Sequence, residues 1–576
     1  MDLFAQINQF VRDQVAAMNP TWPLDRITVE APKDATHGEM ATNAAMVLAK
    51  EAGMAPRALA EQIAERLRTH PQIAEVTLAG PGFINLKFTP DFWRALVPKI
   101  LQIGTQFGVS NVGKGQKVNV EFVSANPTGP MHAGHVRGAV IGDAVVRLLR
   151  ATGHDVTGEY YFNDAGAQVD VLARTTHLRY REALGEDIAI PEGLYPGEYM
   201  KEVGSALATR DGKKWLVLDE AEWLAPIRSF AVDAMMKMIR EDLALIGIQH
   251  DVFTNEREMI ENGTLEKAFK VLEDKGLIYT GTLPPPKGKE MEDWEPAELT
   301  LFRSSQFGDT TDRPLKKRDG YWAYIMPDIA YHYDMMQRGF NLMINVLGTD
   351  HSGYLERMRP AITALSDGKV QLDVIFNNMV KVFKNGEPVK LSKRSGNIIT
   401  LREMVEQVGA GAVRFFMLTR DPKSPLDFDF AKVIEQSRDN PVFYIQYAHA
   451  RICSVLRHAA ETLPTEKFDD GALAAADLNL LHSEAEIAML RRLAEWPRIV
   501  VAAAQVHEPH RIAFYLQDVA AELHALWTAG KDDAELRFIL PNQPAKTAAR
   551  LALLRTVALV IAAGLGIIGV EPVEQM

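Results

Sequence analysis

Two short clusters in this chain have residue types and spacings that suit phosphate chemistry. The first is Ser124-Ala-Asn-Pro-Thr-Gly-Pro-Met-His-Ala-Gly-His135, in which His132 and His135 stand three apart around Gly134. It follows a β-rich run and precedes a helical one. It therefore meets a helix N-terminus, whose unpaired N–H groups and positive dipole end attract phosphate. Imidazole N–H groups can donate to phosphate oxygens as charge builds in a transition state. Gly134 has no Cβ, so a flat base can approach its backbone. The same residues also read as ordinary loop histidines, or as a metal pair for which no third ligand lies nearby. The second cluster, Val389-Lys-Leu-Ser-Lys-Arg-Ser-Gly-Asn397, sets Lys390 and Lys393 around Ser392. Lysine is a flexible point charge that can follow a migrating phosphate. Taken alone, this run reads at least as well as a solvated charged turn. Between the two lies Gly348-Thr-Asp350-His351, where Asp350 can accept from a ribose hydroxyl or simply cap a helix.

The elements that must hold these clusters follow from hydrophobic patterning. A strand (118–123), a Pro/Gly loop, a helix from about His135 to Ala151, a Gly153 stop and a second strand (156–161) make a βαβ unit. Further strands are expected at 341–347 and 374–376. The expected fold class is α/β: a doubly wound (Rossmann-type) parallel-sheet catalytic domain, with ligands at the carboxyl ends of its strands. An N-terminal α/β domain precedes it and a C-terminal all-helical bundle follows. The expected boundaries are 1–112, 113–430 and 431–576. An insertion at about 178–320 is read as helices plus the polar stretch GTLPPPKGKEMEDWE.

Composition narrows the alternatives. The 576 residues carry a formal net charge of -12, so an RNA partner would have to meet local basic patches rather than a basic whole. The single cysteine, Cys453, excludes a disulfide framework and a Cys-rich zinc site within the chain. The first residues, MDLFAQINQFVRDQVAAM, place Leu3, Phe4, Ile7, Phe10, Val11 and Val15 at helical spacing; this is an amphipathic helix, not a signal peptide. The apolar run 556–570 falls short of the ~20 residues of a membrane span, and its glycines suggest a buried helix that ends within it. A soluble, cytoplasmic protein is expected.

His-Ala-Gly-His on such a loop is similar to the first signature of class I aminoacyl-tRNA synthetases, and the phrase EFVSANPTGPMHAGH resembles the arginyl-tRNA synthetase family, bacterial type. Placed downstream of it, Lys-Leu-Ser-Lys-Arg looks like the second signature, with Leu391 where the family has Met. The resemblance extends over most of the chain. HGEMATNAAMVLAK and GPGFINLKF resemble the domain that contacts the tRNA D-loop. YYFNDAGAQ resembles a segment with Asn163, Asp164 and Gln168 near the substrates. LPPPKGKEMEDWEPAELTLFRSSQFGDTTDR resembles a bacterial-type catalytic insertion, and DNPVFYIQYAHARICSV the start of the anticodon-binding domain.

The resemblance implies ATP-dependent joining of L-arginine to tRNA(Arg) through arginyl-adenylate, with Mg²⁺ entering on ATP, no protein-bound metal, tRNA needed for activation, and a monomer. It assigns His132, His135, Lys390 and Lys393 to catalysis. Pro127, Gly129, Gly134, Gly348, Asp350 and Ser392 are assigned to ATP. Glu121, Ser124, Asn126, His135, Tyr324, Asp328 and His351 are assigned to arginine. Within that set, Asp328 and Tyr324 take the guanidinium end and Glu121 and Asn126 the amino-acid backbone end. Phe83, Asn85, Asn440, Tyr447, Trp527 and Met576 are assigned to tRNA. A buried guanidinium needs carboxylate acceptors, which these segments provide; yet Glu121 alone also reads as a strand carboxylate paired with a lysine. Cysteine and glutamate synthetases, a small-molecule nucleotidyltransferase and a catalytically dead RNA-binding paralogue are the rival readings. The absence of a cysteine zinc site, the acidic specificity residues, the long helical tail and the two intact signatures speak against them in turn.

Overall fold

The computed structural model describes residues 2–576 apart from 33, 35–36, 284–297, 385, 390–398 and 438–439. The second signature, with Lys390, Ser392 and Lys393, therefore lies outside the described residues, as does most of the polar stretch 281–295.

The chain begins with the helix Leu3–Met18, capped by the Asp2 carboxylate and burying Leu3, Phe4, Ile7, Val11 and Val15. It packs near an antiparallel sheet of β1 (Val29–Glu30), β2 (Met40–Thr42), β3 (Ile73–Ala79) and β4 (Phe83–Phe88), in the order β1-β2-β4-β3. The helices Ala44–Ala52 and Pro56–Leu67 complete this unit.

Next come β5 (Lys117–Glu121), β6 (Asp155–Phe162) and β7 (Val252–Asn255). A small antiparallel sheet of β8 (Ile278–Gly281), β9 (Leu299–Phe302) and β10 (Arg313–Lys316) follows. Then come β11 (Leu342–Gly348) and β12 (Gln371–Asn377). The catalytic sheet is wholly parallel, in the order β12-β11-β5-β6-β7. From β5 the chain moves outward through β6 and β7, then returns to the other side for β11 and β12. The switch point thus falls between β5 and β11, where a doubly wound sheet opens a crevice for ligand. A third small sheet joins β13 (Val380–Lys384), β14 (Glu387–Pro388) and β15 (Leu426–Asp429).

The helix Ala133–Ala151 connects β5 to β6 and is buried along most of its length. A Cβ on Gly142 would come within 2.2 Å of Phe122, so this glycine lets the helix lie close over the end of β5. Two expectations differ from what folds. β5 ends at Glu121 rather than Val123, because Val123 (φ 72) and Ser124 (φ 44) turn left-handed. The stretch 178–320, read as helices and polar chain, also contributes β7–β10. These four-residue strands are too short to show a period of two.

Beyond 440 the described chain is helical: Pro441–Thr462, Glu484–Ala494, Trp496–Gln505, His510–Asp532 and Pro544–Ile567. The last helix is long and apolar enough to cross a membrane, but 78% of its apolar window is buried in this bundle. Buried Arg550 pairs with buried Glu486 at 2.8 Å inside it. Buried Arg414 ties the bundle to the catalytic unit. Its guanidinium donates to the carbonyls of Ile568 and Ile246 and to Asp143 on the helix Ala133–Ala151.

Candidate active site

The two left-handed residues after β5 bend the chain back on itself. Each non-glycine residue in that region stores about 1–3 kcal/mol of strain, which surrounding bonds must hold. Here Ser124 Oγ donates to Glu121 Oε1 at 2.6 Å, and Tyr160 Oη donates to the Ala125 carbonyl at 2.8 Å. Farther along, Tyr199 Oη donates to the Thr128 carbonyl at 3.0 Å. A Cβ on buried Gly129 would sit 2.9 Å from that hydroxyl. Pro127 is buried, Asn126 is exposed, and Asn126 Nδ2 donates to Gln168 Oε1 at 3.3 Å.

His132 is the N-cap of the helix, not a residue before it. Its Nδ1 accepts the Gly134 N–H at 3.2 Å, while His135 Nδ1 accepts the His132 N–H at 3.4 Å. The rings stack with centroids 3.8 Å apart. With both Nδ1 atoms accepting backbone N–H groups, the neutral rings carry their protons on Nε2. The loop therefore sets two imidazole donors side by side at a helix N-terminus. Gly134 is exposed beside them.

Across the switch point, Gly348 caps the short 3-10 turn Thr349–His351, and Asp350 lies inside that turn rather than capping it. A Cβ on Gly348 would meet Asp350 Oδ1 at 2.4 Å, so the glycine lets the carboxylate fold back over the strand end. The Asp350 and His351 side chains are both exposed, with His351 Nε2 3.6 Å from Asp350 Oδ2.

The carboxylates gather on the other side of the crevice. Glu121 is buried, and its second oxygen accepts Asn345 Nδ2 at 2.7 Å. Burial pushes its carboxyl up to about 8; the Ser124 hydrogen bond opposes this, and the charges of Asp328 and Glu159 add to it. Asp328, in the first turn of the helix Ile325–Gln337, is pushed up to about 7 by burial and by the charge of Glu256, against the pull of Arg357. Glu256 was not foreseen. It accepts Tyr161 Oη at 2.9 Å and Asn163 Nδ2 at 2.6 Å, and burial raises its carboxyl too. Tyr161 stacks on buried Tyr331 at 4.6 Å. Tyr324, expected at the guanidinium end, is 87% exposed at the start of its helix. Asp164 is occupied by Arg257: its Oδ1 accepts the Arg257 N–H at 2.9 Å. Glu256 follows a strand of four residues and Asn345 sits mid-strand, so neither carried a readable motif. Aromatic residues at consecutive turn spacings, such as Tyr331, were the available signal.

The residues assigned to tRNA fall into two groups. Phe83 is exposed on β4, whereas Asn85 on the same strand is buried between β2 and β3. Asn440 is a buried N-cap whose amide also donates to the Val433 and Glu435 carbonyls, so its polar atoms serve the fold. Tyr447 is 37% exposed and stacks between Phe443 and His524. The Arg451 guanidinium lies 3.5 Å from the centre of the Trp527 ring. Met576 is exposed, at the end of a tail whose Val573 N–H donates to Gln446 on the helix Pro441–Thr462.

A doubly wound sheet whose switch-point loop presents two histidine donors at a helix N-terminus defines a class I aminoacyl-tRNA synthetase catalytic unit. Residues 96–423 match the family model described as the class I (R) tRNA synthetase catalytic domain. Residues 5–88 match the arginyl tRNA synthetase N terminal domain, and 445–576 match the DALR anticodon binding domain. The chain belongs to the arginyl-tRNA synthetase family. It is 59% identical to an arginine–tRNA ligase of Parvibaculum lavamentivorans, over 96% of this chain and 95% of that one. It is 53% identical to one of Rhodospirillum rubrum, over the full length of both. Among solved structures it resembles the Thermus thermophilus arginyl-tRNA synthetase, with a TM-score of 0.76 at 20% identity over all of both chains. It also shares its fold with a Mycobacterium tuberculosis methionyl-tRNA synthetase, with a TM-score of 0.52 at 14% identity over 79% of this chain and 91% of that one.

Proposed function

We propose that this protein activates L-arginine with ATP and transfers it to tRNA(Arg). In the first step an arginine carboxylate oxygen attacks the α-phosphorus, the bond from that phosphorus to the bridging oxygen breaks, and pyrophosphate leaves. In the second, a hydroxyl of the terminal tRNA adenosine attacks the acyl carbon and AMP leaves. The protein's part is positioning and charge stabilisation, with no covalent enzyme intermediate. Nε2–H of His132 and His135 meets the phosphates, joined by Lys390 and Lys393. Mg²⁺ arrives on the ATP oxygens. Gly134 admits the adenine, and Gly348 and Asp350 meet the ribose. Pro127, Gly129 and Ser392 complete the nucleotide side.

The observation that carries arginine, rather than another amino acid, is the set of carboxylates around the Tyr161–Tyr331 stack, buried Glu121 with half-buried Asp328 and Glu256, all three raised by desolvation. Three acids crowded out of water call for a planar cation that can bond two of them at once. Asp328 takes the guanidinium, helped by Glu256. Glu121, Ser124 and Asn126 take the amino-acid end, with His351 at the rim. The units at 1–112 and 431–576 hold tRNA, the latter through Tyr447 and Trp527. The protein acts as a cytoplasmic monomer.

ATP–pyrophosphate exchange, run with each amino acid in turn and with or without tRNA, tests this reading. Exchange is expected with arginine and only when tRNA is present. Exchange driven by another amino acid would overturn the substrate, and full exchange without RNA would overturn the tRNA requirement. Lys393→Ala is expected to slow activation far more than it changes arginine binding. A single light-scattering mass near 64.0 kDa would support the monomer.

A further inference from the structure

Three elements distant in sequence meet behind the first signature. Residues Met131–Ala133 run antiparallel to Ile399–Leu401, with His132 opposite Thr400. The Ala133 N–H donates to the Ile399 carbonyl at 3.0 Å, and the Leu401 N–H donates to the Met131 carbonyl at 2.8 Å. Thr400 then opens the helix Leu401–Val408 with a capping box to Glu403. The first signature is thus stitched to the N-terminal end of the helix Leu401–Val408. A third element closes the seam. Asp242, 2% exposed on the helix Glu220–Leu245, accepts the Met131 N–H on Oδ2 at 3.2 Å and Arg402 Nη2 on Oδ1 at 3.1 Å.

We propose that Asp242 and Arg402 form a clasp that holds the His132 loop against the start of the helix Leu401–Val408, making Asp242 a positioning residue for adenylate formation. This rests on the function proposed above and adds a residue that neither signature contains. One Asp242 oxygen serves the signature loop and the other serves Arg402 in the first turn of the helix Leu401–Val408. Met131 directly precedes the capping histidine, so the bond to its N–H fixes where the His132 ring stands. Both oxygens are engaged within a buried seam, so a neutral amide cannot replace the carboxylate: its N–H₂ would face a donor. The arginine pocket shares none of these bonds, since Glu121 is bonded by Ser124 and Asn345.

The test compares Asp242→Asn, Arg402→Gln, Arg402→Lys and the double variant Asp242→Asn/Arg402→Gln. Each is assayed for arginine-dependent pyrophosphate exchange with tRNA present and for thermal stability. A misplacement of about 1 Å costs about a hundredfold in rate, so kcat is expected to fall by about that much in Asp242→Asn. The KM for arginine should stay within about twofold. Arg402→Gln should lose kcat in the same direction, Arg402→Lys should restore part of it, and the double variant should lose no more than Asp242→Asn, because one clasp is broken once. The Arg402 side chain is 49% exposed, so its replacements test the clasp even where Asp242→Asn folds poorly. Full kcat in Arg402→Gln, losses that multiply in the double variant, or a rise in arginine KM equal to the fall in kcat would overturn the clasp. Wild-type protein inactive with arginine would instead overturn the underlying function.

Discussion

Glu121 and Glu159 face each other across neighbouring parallel strands of one sheet, in direct register, and both are buried. Their surroundings differ. Glu159 receives a two-pronged bond from Arg338, at 2.9 Å to each oxygen, plus Thr254 Oγ1 at 2.6 Å and Asn119 Nδ2 at 2.5 Å. Among the described residues, Glu121 receives only neutral donors, Ser124 and Asn345. A second raised carboxyl, Asp328, acts on it electrostatically. A buried carboxylate with its own guanidinium is a structural ion pair. One bonded by neutral donors next to another acid holds its proton more tightly and gains most when a cation joins it. The same sheet position therefore builds the scaffold on one strand and substrate recognition on the next.

Asp328→Asn should break the recognition side hardest. With one charged partner gone, kcat/KM for arginine is expected to fall about a thousandfold, or about 4 kcal/mol, while the KM for ATP changes little. Steady-state kinetics with each substrate varied reads this; equal losses for both substrates would mean that Asp328 is not an arginine contact. Glu159→Gln is the mirror experiment. It removes the buried one of Arg338's two charge partners, leaving Asp334, and should lower folding stability by about 2 kcal/mol in chemical denaturation. Glu121→Gln should cost little stability, because the site disfavours the ion and the Ser124 hydroxyl, unlike the donors on Asp242, can turn to accept from the new amide. If Glu121→Gln proves the more destabilising of the two, the contrast between the strands fails.

pH sharpens the same contrast. Glu121 near 8 and Asp328 near 7 hold protons in the folded protein that the unfolded chain has already lost. The folded state therefore binds more protons between about pH 4.5 and 8, and these two groups make the unliganded protein less stable as pH rises through that window. Arginine binds the ionised acids, so its affinity should rise by about tenfold or more from pH 6.5 to 8 and level off only about one unit above the Glu121 value. Calorimetry in buffers of different ionisation heat should show proton release on binding. A flat affinity over this range would mean the acids are already ionised. The smallest effect is expected from Tyr199→Phe, which removes one hydrogen bond to the signature loop. A loss of about 1 kcal/mol in activation, with arginine affinity intact, is anticipated from exchange kinetics.

Much of the site could be read in the sequence because it is local. His132, Gly134 and His135 lie on four consecutive residues, and helix-start chemistry acts over one turn; the βαβ unit around them showed its period plainly. The histidine's role as the cap itself did not show, because it depends on where the chain leaves β5, and the left-handed pair Val123–Ser124 decides that. The short strands β7–β10 were hidden for want of length. Tyr324 stands more exposed than its assignment suggested, and Asn85 and Asn440 are buried in bonds that a linear motif cannot reveal.

By itself, then, the sequence determined the element types, the parallel sheet and the phosphate-binding loop, all set by hydrophobic periodicity and by residues within a helical turn of one another. Only the tertiary structure decided which partner each desolvated acid has. Glu121, Glu159, Asp328, Glu256 and Asp242 are alike in sequence. Their charges become distinct because Arg338 reaches Glu159, Arg402 reaches Asp242, neutral amides and hydroxyls reach Glu121 and Glu256, and Asp328 feels the Glu256 charge, across separations that the fold alone closes.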